Sequence, residues 1–274
     1  MNIGIFDSGI GGVSVLHEAL LKLPNEQYIF YADTDHVPYG LKTHEQILEY
    51  ADHIVSDLVS RGVDAVVIAC NTATSVAASH LRSKYSIPII GMEPAVKPAI
   101  EHTRDDASSR VLVMATPVTI RENKLHDLLE RVDTYHKADL LPMPELVTFA
   151  EAEKFETDEV YEYLERQFEP FDTSKYSALV LGCTHFNYFR PAYRRFFSDK
   201  TDILDGNAGT IRHLASLLKL ELQDVESGKN RLNYKTIEEM KRDDVTYLTS
   251  GRNSDTQMLE HIYNLHCRLD AIKQ

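Results

Sequence analysis

The sequence predicts an α/β protein with two pseudo-symmetric three-layer α/β lobes, each built on a mostly parallel sheet, and an active site in the cleft between them. Short apolar runs alternate with longer segments of helical periodicity, which is typical of a parallel sheet covered by helices on both faces. Part of the first half recurs in the second half. No Ser/Gly-rich linker or low-complexity tract separates the halves, so any boundary between domains is compact.

Eight segments are predicted to be strands because they are short apolar runs without polar alternation. They are residues 3–6, 28–32, 65–69, 87–90, 111–115, 178–182, 202–204 and 245–249. Apolar residues at helical spacing predict helices between the strands and at the C-terminus. The most regular of these cover residues 13–23, 44–62, 121–132 and 258–269.

An internal repeat indicates that the two halves arose by duplication. The helical segments LHEALLKL and LHDLLERV begin at residues 16 and 125, an offset of 109, and each follows a predicted strand. Two further strands, AVVIA and ALVLG, lead into Cys70 and Cys183 at an offset of 113. Because strand, helix and cysteine recur in the same order, we interpret the chain as two copies of one α/β unit.

Composition excludes several classes of function. The net charge of −13 is unfavourable for a nucleic-acid surface. No segment approaches the roughly 20 apolar residues that span a bilayer, and the N-terminus enters a strand pattern at once, so we expect a soluble cytoplasmic protein. The three cysteines show no disulfide or zinc spacing, so neither a disulfide framework nor a metal site is predicted. Cys267 is interpreted as a small buried hydrophobic residue.

The candidate site follows from what stands at the strand ends. Asp7, Asp33, Cys70, Thr116 and Cys183 each come directly after a predicted strand. In open α/β sheets, ligands bind beyond the carboxyl ends of the strands. If the two halves face each other, the two thiols approach one cleft from opposite sides.

Two opposed thiols suit the inversion of a carbon that bears hydrogen. One group removes the proton from one face and the other delivers a proton to the opposite face. A free thiol has a pKa of about 8.5, which is closer to the useful range for both roles than that of a carboxylate. Both cysteines precede predicted helix starts, where thiolates are stabilised.

The neighbours of the thiols supply polar groups of the right kind. Asp7 is placed to bind an ammonium group or to tune Cys70, and His185 is placed to orient or deprotonate Cys183. Uncharged hydrogen-bonding groups are available from Ser8, Asn71, Thr72 and Thr184, and helix-start amides are suited to a substrate carboxylate.

The GIGG sequence at residues 9–12 raises the question of dinucleotide binding. Ser14 stands where the third glycine of that fingerprint belongs, and Asp7 at the strand tip repels a pyrophosphate. No Walker pattern occurs. We therefore interpret the glycines as a tight strand-to-helix turn.

Four motifs together resemble the glutamate racemase family: DSGIGG at 7–12, PYG at 38–40, ACNT at 69–72 and GCTH at 182–185. They occur in the family's order, and the similarity runs from the first residues to about residue 215. The resemblance implies two α/β lobes with the site between them, glutamate as substrate, no metal or pyridoxal phosphate, and a homodimer as in many members.

The resemblance also implies lobe boundaries and residue roles. The lobes are expected to be discontinuous, with residues 1–96 plus 208–274 in the first and 97–207 in the second. Cys70 is expected to deprotonate the D-enantiomer and Cys183 the L-enantiomer, assisted by Asp7 and His185 respectively. The expected substrate-lining residues are Asp7, Ser8, Tyr39, Gly40, Asn71, Thr72, Thr184 and His185. Glu151 loosely matches a supporting glutamate of the family.

One departure and three alternatives accompany this interpretation. Asn187 occupies a position where many members have proline, which affects the expected geometry of the helix start after Cys183. The charged segment 221–244 shows little family signal and is expected to be peripheral. The alternatives are a racemase acting on aspartate or a hydantoin, a cysteine hydrolase using Cys183 with His185, and a binding protein that kept the fold without the chemistry.

Overall fold

A computed structural model describes residues 1–103, 108–224 and 231–272 of the chain. In the first part of the chain, strands and helices alternate in βα order. These elements are β1 (Asn2–Asp7), α1 (Val13–Lys22), β2 (Gln27–Ala32), α2 (His44–Ser60), β3 (Ala65–Ile68), α3 (Asn71–Lys84), β4 (Ile89–Gly91) and α4 (Val96–His102).

The second part repeats the alternation with shorter helices. Its elements are β5 (Arg110–Ala115), α5 (Pro117–Arg121), α6 (Asn123–Val132), β6 (Ala138–Pro142), α7 (Glu145–Glu151), α8 (Asp158–Phe168), β7 (Tyr176–Gly182), α9 (Arg190–Tyr193) and β8 (Asp202–Asp205). The remainder comprises α10 (Asn207–Leu218), α11 (Ile237–Met240), β9 (Val245–Thr249), β10 (Arg252–Asn253) and α12 (Thr256–Ala271). Short 3-10 turns cover Ile10–Gly12, Tyr39–Leu41, Thr173–Lys175 and Thr184–Phe189.

Two sheets of matching topology organise these elements. The first has the strand order β10-β9-β2-β1-β3-β4 and the second has the order β6-β5-β7-β8. Every pairing is parallel except that of β9 with β10. The order β2-β1-β3-β4 therefore recurs as β6-β5-β7-β8, with β1 matching β5 and β3 matching β7. This recurrence agrees with the repeat seen in the sequence and confirms the predicted α/β class.

All eight predicted strands are present, and the described residues contain two further strands that were not predicted. β6 lies at the edge of the second sheet, and most of its residues are only partly buried, so it lacks the continuous apolar pattern of a central strand. Asp139 in β6 pairs with Arg110 of β5 instead of packing in a core. β10 has only two residues, both exposed, and carries no periodic signal.

The predicted α-helix start directly after Cys183 is wrong. Residues Thr184–Phe189 form a 3-10 run, followed by the four-residue helix α9. All six residues of the run are buried, including Phe186, Tyr188 and Phe189. An amphipathic α-helix buries one face, whereas this segment has tertiary contacts on every side, and those contacts set its backbone path.

The C-terminal segment contributes to the first sheet and to the core. β9 pairs in parallel with β2 and extends the first sheet. Residues 225–230 of the charged segment lie outside the described residues, but the rest is less peripheral than predicted. Met240 is fully buried, and the ring of Tyr234 meets His266 of α12 edge-on at 5.6 Å. Cys267 is only partly buried, contrary to its prediction as a core residue.

Within the described ranges, the structure bears on two predicted absences. None of the helices described is long and apolar enough to cross a membrane. Among these same residues, no group of three or more His, Cys, Asp or Glu side chains is arranged to hold a metal ion.

Candidate active site

The two thiols follow equivalent strands of the two sheets. Cys70 follows β3 and caps the N-terminus of α3, where its Sγ accepts a hydrogen bond from the amide of Ala73 at 3.4 Å. Cys183 follows β7 and precedes the 3-10 run. Cys70 is 5% exposed and Cys183 is 7% exposed. Each thiol is therefore almost enclosed at the carboxyl end of its own sheet.

Cys70 is linked to Asp7 through a hydroxyl group. The Cys70 Sγ lies 3.7 Å from Ser8 Oγ, and Ser8 donates to Asp7 Oδ1 through its hydroxyl at 3.1 Å and its amide at 2.6 Å. Burial, followed by the charge of Asp7, raises the pKa of the Cys70 thiol well above its usual range. A negative charge on Cys183 also raises this pKa, because it repels a second negative charge on Cys70.

Cys183 has a different partner. Its Sγ lies 3.7 Å from Nδ1 of His185, and Nε2 of the same ring lies 2.6 Å from Oε1 of Glu151. Burial alone lowers the pKa of His185, but the hydrogen bonds to Cys183 and Glu151 outweigh it and hold this pKa well above its ordinary value. A protonated imidazole donates from both nitrogens, and an imidazolium beside a cysteine stabilises the thiolate.

Asp7 also connects the two halves. Its Oδ2 accepts a hydrogen bond from the Thr184 hydroxyl at 2.7 Å, so one carboxylate contacts both Ser8 and the residue that follows Cys183. Asp7 is fully buried, and this burial raises its pKa, although the positive charge of His185 and the hydrogen bonds from Thr184 and Ser8 act in the opposite direction. The structure therefore places Asp7 between the two thiol-bearing loops, beyond its predicted place beside Cys70.

The glycines of the GIGG segment allow the two halves to approach each other. Gly9 has φ −165°, which is extended backbone, so a left-handed turn does not explain the glycine. A Cβ on Gly11 would overlap Nδ1 of His185 and Oγ1 of Thr184, and a Cβ on Gly9 would overlap the carboxylate of Glu151. A tight turn alone does not account for these glycines. The close contact with the second half also requires residues without a Cβ.

Threonine hydroxyls from both halves meet behind the Cys70 loop. Thr72 Oγ1 lies 2.9 Å from Thr116 Oγ1 and 3.2 Å from Thr119 Oγ1. Thr116 occupies the position in the second half that corresponds to Asp7 in the first. The neighbouring Asn71 is 5% exposed, and its Oδ1 has no hydrogen-bond partner among the described residues. A buried acceptor of this kind is available to a donor group of a ligand.

The Tyr39–Gly40 turn packs against Thr116 of the second half. The Tyr39 hydroxyl donates to Asp33 Oδ2 at 2.6 Å, and a Cβ on Gly40 would lie 3.0 Å from Cβ of Thr116 in the second half. Asp33 also accepts from Ser250 at 3.2 Å, which joins this turn to the end of β9. The buried Tyr39 hydroxyl is thus engaged with Asp33, and the turn lies between the two halves.

The structure joins predicted residues in separate groups of hydrogen bonds and adds others. Asp7, Ser8 and Cys70 form one group, which Asp7 links to Thr184. A second group joins the Thr72 hydroxyl to the side chains of Thr116 and Thr119. Tyr39 is hydrogen-bonded to Asp33. The sequence indicates Asp33 and Thr116 only as strand-end residues and does not single out Thr119. Their signal in the sequence was weak, because it consisted only of position after a strand.

Comparison with known proteins identifies the family to which the chain is similar. The pattern of the family described as Asp/Glu/Hydantoin racemase matches residues 9–214. The glutamate racemase of Lachnospira eligens is 45% identical over 275 residues and covers all of both chains. That of Campylobacter curvus is 54% identical over 221 residues, covering 80% of this chain and 83% of its own.

A solved structure agrees with the sequence relatives. The crystal structure of Escherichia coli glutamate racemase in complex with L-glutamate and the activator UDP-MurNAc-Ala has a TM-score of 0.74 and 31% identity. The match covers 90% of this chain and 97% of the other. Its agreement extends the likeness from the motifs to the arrangement of the strands and helices. The chain therefore belongs to the Asp/Glu/hydantoin racemase family and, within it, to the glutamate racemases, which are isomerases.

Proposed function

We propose that this racemase interconverts L- and D-glutamate by transferring protons between two cysteines, without a cofactor, and supplies D-glutamate for peptidoglycan synthesis in the cytoplasm. The observation that carries the mechanism is the pair of buried thiols at equivalent strand ends, each with its own acid–base partners. The family description also includes aspartate and hydantoin racemases, but the sequence relatives at 45% and 54% identity are named glutamate racemases.

In the direction from L- to D-glutamate, Cys183 acts as the base. Its thiolate takes the proton from the α-carbon, and the electron pair of the broken C–H bond delocalises into the carboxylate. The Cys70 thiol then donates its proton to the opposite face of the planar carbanion, and a new C–H bond forms. One thiolate and one thiol exchange roles, so the reaction consumes no other reagent. The reverse direction begins with Cys70 as the base.

The asymmetric partners fit these roles. His185, whose other ring nitrogen is paired with Glu151, lies 3.7 Å from Cys183 as its acid–base partner. Burial and Asp7 favour the protonated thiol at Cys70, and the Ser8 hydroxyl lies between Cys70 and Asp7 as a route for hydrogen bonding. Cys70 is therefore suited to act first as the acid, which leaves the role of base to Cys183.

Polar groups around the thiols are proposed to bind the rest of glutamate. The unpartnered Oδ1 of Asn71 is suited to the substrate ammonium group. The hydroxyls and backbone of Ser8, Thr72 and Thr184 and the backbone of Tyr39–Gly40 are suited to its carboxylates. Both thiols are almost enclosed, so entry of glutamate requires the two halves to separate and then close.

The proposed lobes, residues 1–96 plus 208–274 and 97–207, agree with the composition of the two sheets. The first sheet combines strands from residues 2–91 with strands from residues 245–253, and the second uses strands from residues 110–205. The homodimer expected from the family resemblance remains a prediction, and the mechanism places all its proton-transfer groups on one chain.

The first test incubates the enzyme with L-glutamate in D2O and follows the α-proton by NMR and D-glutamate by chiral chromatography. Formation of D-glutamate that carries deuterium at the α-carbon is the expected result. A product that retains the original α-proton would contradict proton transfer through two thiols that exchange their protons with solvent. A cysteine hydrolase would instead form a covalent adduct on Cys183, so intact-protein mass spectrometry after mixing separates that alternative.

A further inference from the structure

Asn187 contacts the peptide that joins the two functional residues Thr184 and His185. It lies on the 3-10 run after Cys183 and is 3% exposed. Its Nδ2 donates to the Thr184 carbonyl at 3.3 Å, and the Ser14 hydroxyl donates to the same carbonyl at 3.4 Å. This peptide is therefore held by side chains from both halves of the molecule.

The other end of the Asn187 side chain is held by Arg190. Oδ1 of Asn187 accepts from Nε of Arg190 at 3.3 Å and from Nη2 at 3.2 Å. The same guanidinium donates to the carbonyl of Ile203 at 2.7 Å and pairs with Asp205. Ile203 and Asp205 belong to β8, which neighbours β7 in the second sheet. The network thus connects the run after Cys183 to a rigid strand.

Arg190 also decides which way the Asn187 amide faces. A guanidinium group has only donors, so it pairs with the amide oxygen of Asn187 and not with its nitrogen. The amide nitrogen then faces the Thr184 carbonyl, which only accepts. Without Arg190, the amide would be free to rotate and lose this pairing.

We propose that Asn187, oriented by Arg190 and Asp205, is a positioning residue that holds Cys183 and His185 in place for proton transfer on their face of the substrate. This inference rests on the two-thiol mechanism proposed above. The hydrogen bonds of the Asn187 side chain restrain the segment that carries both residues.

The positioning matters because the Cys183–His185 contact is long, at 3.7 Å, and hydrogen bonding weakens steeply as geometry degrades. Small displacements of a reacting group also reduce rates strongly. The Cys70 side has no contact with Asn187 among the described residues. Loss of the network should therefore slow abstraction by Cys183 more than abstraction by Cys70.

The test uses Asn187→Asp, which keeps the acceptor for Arg190 and removes the donor to Thr184. We expect kcat to fall about tenfold with a smaller change in KM, as for a lost buried hydrogen bond. The primary deuterium isotope effect with α-deuterated L-glutamate should rise, and the effect with α-deuterated D-glutamate should change less. Asp205→Asn, which loosens Arg190 and keeps an oxygen that can accept from the amide of Asn207, should shift the isotope effect in the same direction by a smaller amount.

Arg194→Ala is the matched control. Arg194 donates to the carbonyls of Ser198 at 2.9 Å and Thr201 at 2.7 Å, in the same segment but away from Thr184. Its loss should lower Tm while both isotope effects stay at their wild-type values. If Arg194→Ala shifts the isotope effects as Asn187→Asp does, the effect is general destabilisation and the proposal is wrong.

A readout that needs no turnover uses alkylation by iodoacetamide, with each cysteine quantified by mass spectrometry. In Asn187→Asp, the alkylation rate of Cys183 should change severalfold while that of Cys70 stays constant. The positioning role would be overturned if the folded variant kept the wild-type alkylation rate of Cys183 and the wild-type isotope effects. Failure of the underlying mechanism has a different signature, namely full racemase turnover by Cys183→Ala in the otherwise unaltered chain.

Discussion

The Cys70 loop and the Cys183 loop occupy equivalent places in two sheets of the same topology, yet their surroundings differ. Cys70 caps a regular helix and is joined through Ser8 to the carboxylate of Asp7. Cys183 begins a 3-10 run and contacts His185, which is paired with Glu151. The matching topology therefore repeats the positions of the two thiols, and the side chains around them give each thiol its own acid–base environment.

The two loops are also mechanically coupled. Asp7 accepts a hydrogen bond from Thr184, and the GIGG segment packs directly on Thr184 and His185. A displacement of one loop therefore changes the contacts of the other loop. The predictions below either remove one side, disturb the contact between the sides, or alter the electrostatics of one thiol.

Removing either thiol should have the largest effect. We expect Cys70→Ala and Cys183→Ala each to reduce racemisation by about 10²–10⁴-fold, the range attributed to a positioned acid or base. Cys70→Ala should still exchange the α-proton of L-glutamate in D2O, and Cys183→Ala that of D-glutamate, as measured by NMR. The reversed pattern of exchange would show that the two thiols have been assigned to the wrong enantiomers.

Gly11→Ala tests the contact between the two sides. The added methyl group would overlap His185 and Thr184, so we expect a loss of about 1–3 kcal/mol in the free energy of unfolding and a fall in kcat/KM. Urea titration and steady-state kinetics measure both effects.

Gly209→Ala is the matched control for that substitution. Gly209 lies within α10, and its nearest contact for an added Cβ is Arg212 at 4.0 Å. Alanine there should raise the free energy of unfolding by up to about 1 kcal/mol. Equal behaviour of the two alanine variants would contradict a steric role for Gly11.

Glu151→Gln should disturb the Cys183 side most directly. Glu151 helps to raise the pKa of His185, so its neutralisation lowers that pKa and the imidazolium is lost at a lower pH. We expect the alkaline limb of the kcat/KM profile to move to lower pH, with a fall of about tenfold at alkaline pH.

Stability should follow the same linkage. A raised pKa of His185 in the folded state stabilises the protein fully below the unfolded value of about 6.5, and this contribution is lost as pH rises through the folded pKa. The stability difference between wild type and Glu151→Gln should therefore shrink at alkaline pH. Glu153→Gln, which removes a partner of His261 outside the site, should leave the pH dependence of kcat/KM unchanged.

Asp7→Asn should produce the smallest of these effects, a shift in the pKa of Cys70. Burial and the charge of Asp7 together raise the pKa of Cys70, so removal of the charge lowers this pKa while burial continues to raise it. The rate of Cys70 alkylation by iodoacetamide should then increase at a lower pH than in wild type. A midpoint that moves to higher pH would contradict the electrostatic role of Asp7.

Much of the site was predictable from residue type and position after a strand. The carboxyl ends of parallel strands meet at one edge of a sheet, so the sequence predicts that Asp7 and Cys70 lie near one another. The opposed position of Cys183 needs the further hypothesis that the two halves face each other. Glu151 was predicted only loosely, because it lies on α7, far along the chain from His185. Its contact with that imidazole depends on how α7 packs against the 3-10 run.

The sequence by itself determined the α/β class, the duplicated order of strands and the two thiols, because periodicity and strand-end position are local properties of the chain. Tertiary structure decided the sharing of Asp7 between the halves, the backbone path after Cys183 and the reason for the glycines in GIGG. Each of these depends on contacts between residues distant in sequence. Burial on all sides and close approach of two loops leave no periodic trace in either loop.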